Sequence, residues 1–204
     1  GLPPFDNIDL VLATHSHGDH FDASLVRRFL SNNPAAVFAS TPQATALLDD
    51  FSERVITFAP AKNKTAPAEI QGVHVEAVYL SHGAPPEGRT EILNFAYLAT
   101  IDGVTLFHSG DIDISQFSYD EFRVLQFPEK KIDFAFIQHF YFTDVPAERK
   151  FIQEGIAARY IIPMHYQYTV PPMNPESVLK NYPDAILFKA ELENWIMPQA
   201  VKIK

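Results

Sequence analysis

Four potential metal ligands lie within six residues near the start of the chain. The segment from His15 to His20 reads HSHGDH and holds three of the eight histidines together with an aspartate. Imidazole and carboxylate groups bind zinc, manganese and iron. Residues two apart in an extended segment point the same way, so His15 and His17 could share one ion while Asp19 and His20 reach a second. A solvated polar loop would explain a single histidine, but it accounts poorly for this density of ligands.

Three further candidate ligands follow later in the chain, each directly after an apolar run that is predicted to be a strand. They are His82 in YLSHG, Asp111 in FHSGD and His165 in IIPMHY. Ligand sites tend to gather where strands end at an edge of a sheet. We therefore expect these three side chains to join the HSHGDH segment in one metal site.

The elements that must position these residues alternate between strands and helices. The predicted strands are Ile8–Ala13, Ala36–Ala39, Arg54–Phe58, Val73–Leu80, Asn94–Ile101, Val104–His108, Ile132–Ile137, Tyr160–Pro163 and two short strands at the end of the chain. The predicted helices are Phe21–Leu30 with Asp22 as its N-cap, Pro42–Phe51, Pro146–Arg159 and one more near the end. A hairpin turn is predicted at Asp102–Gly103 and a loop at Pro60–Ile70. This mixture predicts sheets covered by helices, an α+β or α/β architecture, in a single domain over residues 1–204.

The composition narrows the possible functions. The chain has no cysteine, which excludes disulfides, thiolate ligands and a cysteine nucleophile. Its net charge of -9 argues against nucleic acid as a partner. No apolar run reaches the roughly 18–20 residues that span a bilayer. The cytoplasm is the favoured location. A secreted or periplasmic location is the alternative if an upstream signal was removed. The sequence does not predict the oligomeric state.

The order of these motifs resembles the metallo-β-lactamase superfamily. The resemblance rests on His-x-His-x-Asp-His, a lone histidine, a Gly-Asp pair and a C-terminal histidine, in that order. HSHGDHFD, NFAYLATIDGVTLFHSGD and YIIPMHY are similar to the ascorbate-phosphate lactonase-like branch. The resemblance implies an α+β fold, a four-layer αββα sandwich with the site at one edge of its two sheets. Family members have several strands before the first motif, so this chain is expected to lack some N-terminal strands.

The resemblance also implies a binuclear metal site. It assigns the first ion to His15, His17 and His82, the second to Asp19, His20 and His165, and a bridging role to Asp111. The implied cofactors are two divalent metal ions, with zinc first and manganese or iron as alternatives. The implied activity is hydrolysis by a metal-bound hydroxide, oriented by Asp19, of a small anionic substrate such as a phosphodiester or a phosphorylated lactone. The alternative is a metal-binding protein with a regulatory, non-catalytic role.

Other branches of the superfamily match these residues less well. Several class B lactamases use a cysteine ligand, and flavodiiron oxidoreductases place glutamate where His17 stands. Glyoxalase-II-like thioesterases usually have glycine where Ala23 stands. The RNA-processing nucleases add a basic arm or an inserted domain, and neither is visible in this sequence.

Several residues outside the ligand set are also candidates for the site. His139 follows the predicted strand Ile132–Ile137 and is predicted to be a general acid or substrate ligand, the alternative being a histidine packed among aromatic rings. His108 is predicted to support the ligands or the core, and His74 to be structural. Further hypotheses concern hydrogen bonds to the ligands from Thr14, Ser16 and Ser109, a pocket wall at Tyr166, and an anion contact or plain solvation at Arg89.

Overall fold

The strands form two sheets in the computed structural model, which describes residues 7–85, 87–165, 175–190 and 193–196. Sheet A is parallel and consists of β1 (Leu10–Leu12), β2 (Val37–Ser40) and β3 (Val55–Thr57). Sheet B has six strands in chain order: β4 (Thr65–Ile70), β5 (Val73–Tyr79), β6 (Phe95–Ile101), β7 (Val104–His108), β8 (Phe134–Gln138) and β9 (Tyr160–Met164). Strands β4 to β7 pair antiparallel, whereas β8 and β9 continue parallel to β7.

Short helices connect and cover these strands. The α-helices are α1 (Ala23–Asn32), α2 (Pro42–Thr45), α3 (Tyr119–Arg123), α4 (Pro146–Lys150) and α5 (Pro175–Asn181). A π-helix, Phe151–Ile156, continues directly from α4. Turns of 3-10 helix lie at Asp49–Arg54, Ile114–Gln116, Phe127–Lys130 and His139–Tyr141. None of the helices in the described ranges is both long and apolar enough to cross a membrane.

Three apolar clusters separate four layers of structure. Along β2, Phe38 packs with the residues of α1 and α2, while its neighbour Ala39 packs toward sheet B. Along β6, Tyr97 packs toward sheet A, while Leu98 joins a third cluster with residues of α3 and the π-helix. Because successive side chains of a strand point to opposite faces, each sheet is buried on both faces. The order helices, sheet A, sheet B, helices confirms the αββα fold.

Two local predictions differ from the structure: one predicted loop contains a strand, and one predicted helix is shorter than expected. The predicted loop at Pro60–Ile70 contains strand β4, whose Pro67 pairs with Glu76 of β5. Proline is tolerated there because β4 lies at the edge of sheet B. The predicted helix Pro42–Phe51 ends at Thr45 and is followed by a 3-10 turn. By contrast, Asp22 caps α1 as predicted, since its carboxylate accepts a 2.9 Å hydrogen bond from the Leu25 N–H.

The predicted helix Pro146–Arg159 is also wrong in its extent. It begins at Pro146, but after Lys150 it widens into the π-helix, and Ala157 ends it in a left-handed conformation. The π-helix brings Gly155 against the Phe122 ring, where an added Cβ would lie 2.9 Å from a ring carbon. The two short strands predicted at the end of the chain fall partly outside the described residues, and residues 182–190 and 193–196 form none.

Candidate metal centre

The seven predicted ligands come from four loops that follow strand ends, and the structure brings them together. Residues 13–22 connect β1 to α1 and carry the HSHGDH segment. His82 follows β5, Asp111 follows β7, and His165 follows β9. His165 has a φ of 60°, an uncommon left-handed conformation for a residue other than glycine. Such conformations cost free energy and persist where the surrounding structure imposes them.

The Asp111 carboxylate lies at the centre of this cluster. Its Oδ2 atom is surrounded by four imidazole Nε2 atoms, those of His165 at 3.2 Å, His20 at 3.3 Å, His82 at 3.7 Å and His15 at 3.9 Å. The Asp111 side chain is only 11% exposed. One carboxylate oxygen therefore faces imidazole groups from all three of the other loops.

The ligand atoms form three overlapping trios, each with its atoms within 4.8 Å of one another. The trios are His15, His17 and His82; Asp19, His20 and His165; and His15, His20 and Asp111. In the first trio, His15 Nε2 and His17 Nδ1 are 3.2 Å apart. In the second, Asp19 Oδ2 is 3.6 Å from His20 Nε2 and 3.7 Å from His165 Nε2. The third trio joins the other two, with Asp111 between them.

Two buried atoms of the cluster show that it suits cations. His82 Nε2 and Asp111 Oδ1 are buried without a hydrogen-bond partner. Burying such polar atoms unpaired is costly. Nitrogen and carboxylate oxygen donors are ligands for zinc, manganese and iron. The residues present therefore fit divalent metal ions, which could supply a partner for both atoms.

The profile of the Beta-lactamase superfamily domain matches residues 2–166 of the chain. The chain belongs to this superfamily. Two curated relatives, each called a UPF0173 metal-dependent hydrolase, come from Pyrococcus horikoshii and Pyrococcus furiosus. The first is 30% identical over 84% of this chain and 72% of its own length, and the second is 31% identical over 86% and 75%. The solved metallo-β-lactamase-fold protein YhfI from Bacillus subtilis aligns with a TM-score of 0.60 at 15% identity, over 93% of this chain and 78% of its own. At this identity the likeness shows the fold alone.

Burial and the Asp111 carboxylate shift the pKa values of ligand histidines in the cluster. Burial, followed by the charge of His20, lowers the pKa of His15 to about 3. The hydrogen bond with Asp111 raises the pKa of His20 against the effect of burial. Burial alone would raise the pKa of Asp111, but the hydrogen bond and charge of His20 outweigh it and lower that pKa. In the absence of metal, His15 is thus neutral, while His20 and Asp111 favour an ion pair.

Hydrogen bonds around the cluster fix the ligand rings and their loops. Thr14 Oγ1 lies 3.0 Å from His15 Nδ1, which leaves Nε2 of that ring to face Asp111. His108 Nδ1 accepts a 3.1 Å hydrogen bond from the Gly110 N–H, and its ring stacks on Phe136 at 5.9 Å. The Ser109 hydroxyl donates to the carbonyl of Gly110 rather than to a ligand. His108 thus supports the turn that carries Asp111.

The remaining sequence-based candidates lie at varying distances from the cluster. His139 is half-buried, and its ring packs edge-on against Phe140, which itself lies edge-on to His165 at 6.3 Å. Its role as a general acid stays a prediction. Arg89 is exposed in the loop between β5 and β6, and Tyr166 lies outside the described residues. His74 lies on β5 in an ion-pair network with Glu69 and Glu76.

A cavity of about 400 Å³ adjoins the cluster at Asp19 and His20. It lies between the sheets and is bordered by His108 together with mostly apolar residues, Leu12, Ala13, Thr14, Tyr97, Ala99, Leu106 and Phe136. The Asp19 carboxylate is 66% exposed. The cluster is therefore accessible to solvent and to a small molecule on the side of Asp19.

We expect the metal-free protein to lose stability as the pH falls from about 6 to about 4. The pKa of His15 is lowered to about 3 and that of His108 to about 4, both mainly by burial, from an unfolded value of 6.5. In this range the unfolded chain binds a proton at each position that the folded chain does not. The free energy of unfolding should fall by up to about 1.4 kcal/mol per pH unit for each histidine. His108 should contribute less near pH 4, because with a pKa of about 4 it begins to bind a proton in the folded chain there.

Urea unfolding in the presence of a chelator at several pH values would measure this slope. His20 does not offset it, because its raised pKa stabilises the fold fully below pH 6.5 and that stabilisation is lost only at higher pH. His108→Gln should flatten the slope. Stability independent of pH between about 6 and 4 would contradict the prediction.

Proposed function

We propose that this protein is a metal-dependent hydrolase that acts with two divalent ions on an ester-type bond. The observation that carries the proposal is the pair of ligand trios joined through Asp111, with two buried donor atoms that lack hydrogen-bond partners. The names of its relatives, which are called metal-dependent hydrolases, support the same reaction class. Zinc is the first candidate ion, and manganese and iron are the alternatives.

Each ligand has a defined place in this proposal. The first ion would be held by His15, His17 and His82, the second by Asp19, His20 and His165, and Asp111 would bind both. When bound, such ions lower the pKa of a water ligand from about 15.7 toward about 7 and polarise the scissile group. Two ligands of the second trio, Asp19 and His20, line the cavity, so a substrate would approach there.

The chain's own side chains would move and hold the protons of the reaction. Asp19 presents an exposed carboxylate, which can accept a hydrogen bond from the attacking water and orient it toward the substrate. His139 would then give a proton to the leaving oxygen, provided that its ring reaches the substrate. Asp111 and the buried His15 would keep their positions throughout, because both are enclosed by the other ligands.

The charge of the loaded site favours small anionic substrates. Two divalent ions carry more positive charge than the carboxylates of Asp19 and Asp111 neutralise, so the site would attract a phosphodiester or a phosphorylated lactone. Large nucleic acids are disfavoured, because the chain as a whole carries a net charge of -9. The rate enhancement over spontaneous hydrolysis should therefore be larger for an anionic ester than for a neutral ester with the same leaving group.

The proposal is tested by measuring metal content and hydrolysis on the same preparation. We expect elemental mass spectrometry to find close to two zinc, manganese or iron ions per chain. The loaded protein should hydrolyse bis(p-nitrophenyl) phosphate or a phosphorylated lactone, with a larger rate enhancement over the spontaneous reaction than it gives p-nitrophenyl acetate. A chelator should remove both the metal and the activity, and the metal first found should restore them.

The controls separate catalysis from metal binding. His74→Gln changes a histidine outside the cluster and should leave metal content and turnover unchanged. Turnover that persists after the metal is removed would exclude the proposed mechanism. Two bound ions without turnover of any ester would instead favour the alternative, a metal-binding protein with a regulatory role.

A further inference from the structure

We propose that Asn94 is a positioning residue that holds the loops of His82 and Asp111 in the arrangement needed for metal binding, at the point where both meet the HSHGDH loop. Asn94 directly precedes β6, is fully buried, and belongs to none of the ligand trios. The inference rests on the proposed function, because it concerns how the chain presents ligands to the two ions. It is carried by a set of hydrogen bonds that converge on one amide group.

The Asn94 amide joins the loop of His82 to the loop of Asp111. Its Nδ2 group donates to the carbonyl of Leu80 at 2.9 Å and to the carbonyl of Ser109 at 3.2 Å. Its Oδ1 atom accepts a hydrogen bond from the Asp111 N–H at 3.0 Å. Leu80 and Ser109 each lie two positions before a ligand. The amide therefore fixes the backbone on the approach to His82 and at Asp111 itself.

The HSHGDH loop meets the other two loops at the same point. The Phe95 N–H donates to the carbonyl of Thr14 at 2.8 Å, and the Thr14 hydroxyl pairs with His15 Nδ1 at 3.0 Å. Gly110 fits between Asn94 and Thr14 so closely that an added Cβ would lie 2.2 Å from Asn94 Oδ1 and 2.9 Å from Thr14 Cβ. Asn94 thus lies where the loops after β1, β5 and β7 are in contact.

An asparagine suits this position for a chemical reason. Its amide provides two N–H donors and one carbonyl acceptor, and all three functions are used here. An apolar side chain of similar size would leave two buried carbonyls and the Asp111 N–H without this partner, which is unfavourable. Aspartate keeps the acceptor but loses the amide donors. The loops would still be connected by the chain, but their relative positions would no longer be set by one rigid group.

The experiment compares cobalt(II) binding by the unsubstituted protein and three variants after metal removal. Asn94→Leu removes the amide at similar size, and Asn94→Asp keeps the acceptor for the Asp111 N–H. Gln43→Leu is the matched control, because the Gln43 amide also bonds the segment before Asn94, through Glu91 O at 2.7 Å and Leu93 N at 2.9 Å, at the end of the β5–β6 loop that is remote in sequence from His82. Affinity is measured against a competing chelator, coordination by visible absorption, and stability by the Tm of the metal-free protein.

We expect Asn94→Leu to lower cobalt affinity by about 10–100-fold and to change the absorption spectrum. Asn94→Asp should fall between Asn94→Leu and the unchanged protein, while Gln43→Leu should keep the affinity within about twofold even if its Tm falls. If Asn94→Leu does not fold, the comparison of Asn94→Asp with Gln43→Leu decides. Unchanged affinity and spectrum in the Asn94 variants, whatever their Tm, would overturn the positioning role. No cobalt binding by the unsubstituted protein would overturn the proposed function as well.

Discussion

In the proposed two-ion site, replacing Asp111 by asparagine should reduce the bound metal to one ion or none and lower hydrolysis by about 10²–10³-fold or more. Asp111 Oδ2 lies between 3.2 and 3.9 Å from four imidazole nitrogens that belong to both ligand trios. Asparagine has nearly the same shape, but it lacks the negative charge that offsets two neighbouring cations. Its amide would also present either one neutral oxygen or an N–H group to the ions. The loss should therefore affect both sites rather than one.

Metal content and turnover of Asp111→Asn would be compared with those of Asp113→Asn. Asp113 lies two residues further along the same loop and is a suitable control, because its carboxylate accepts hydrogen bonds from Ser115 and Gln116 outside the ligand trios. We expect Asp113→Asn to keep both ions and at least half of the turnover, on the order of a surface substitution. If Asp111→Asn also kept two ions and full turnover, the bridging assignment would be wrong.

The parts of the fold that sequence could predict are those in which local pattern and tertiary structure agree. Strands β1, β5, β7 and β9 are short runs rich in apolar residues, and the ligands lie in the loops that follow them. The HSHGDH segment concentrates its ligands within six residues, so its chemistry is visible without a structure. The convergence of His82, Asp111 and His165 could also be anticipated, because each follows a predicted strand.

The failed predictions concern features that depend on distant packing. Strand β4 contains Pro67 and forms because it pairs with β5. Within the described residues β5 is its only strand partner, so the other edge of β4 needs no N–H donor from Pro67. The π-helix places Gly155 against the ring of Phe122, which is far away in sequence. Asn94 was missed for the same reason, since it reads locally as the first polar residue of an apolar strand. Its partners Leu80 and Ser109 are 14 and 15 residues away on either side.

Gly110→Ala should destabilise the protein by about 2–5 kcal/mol and reduce the bound metal. Gly110 has a φ of 57°, where a non-glycine residue costs about 1–2 kcal/mol. An alanine Cβ would also overlap Asn94 Oδ1 at 2.2 Å and approach Thr14 Cβ at 2.9 Å, and such overpacking costs a further 1–3 kcal/mol or so. A shift of Asn94 would in turn displace the Asp111 N–H, which donates a hydrogen bond to Asn94 Oδ1.

Gly72→Ala separates the cost of backbone conformation from the cost of this contact. Gly72 has a φ of 78° in the turn between β4 and β5, and an added Cβ would meet nothing within 4 Å. Urea unfolding should show that Gly72→Ala costs only about 1–2 kcal/mol, and its metal content should stay unchanged. Equal costs for the two variants would mean that the contact between Gly110, Asn94 and Thr14 relaxes without penalty. Both variants carry the same backbone penalty. If Gly110→Ala alone loses metal and also loses more free energy of unfolding than Gly72→Ala, the packing of this turn supports the metal centre.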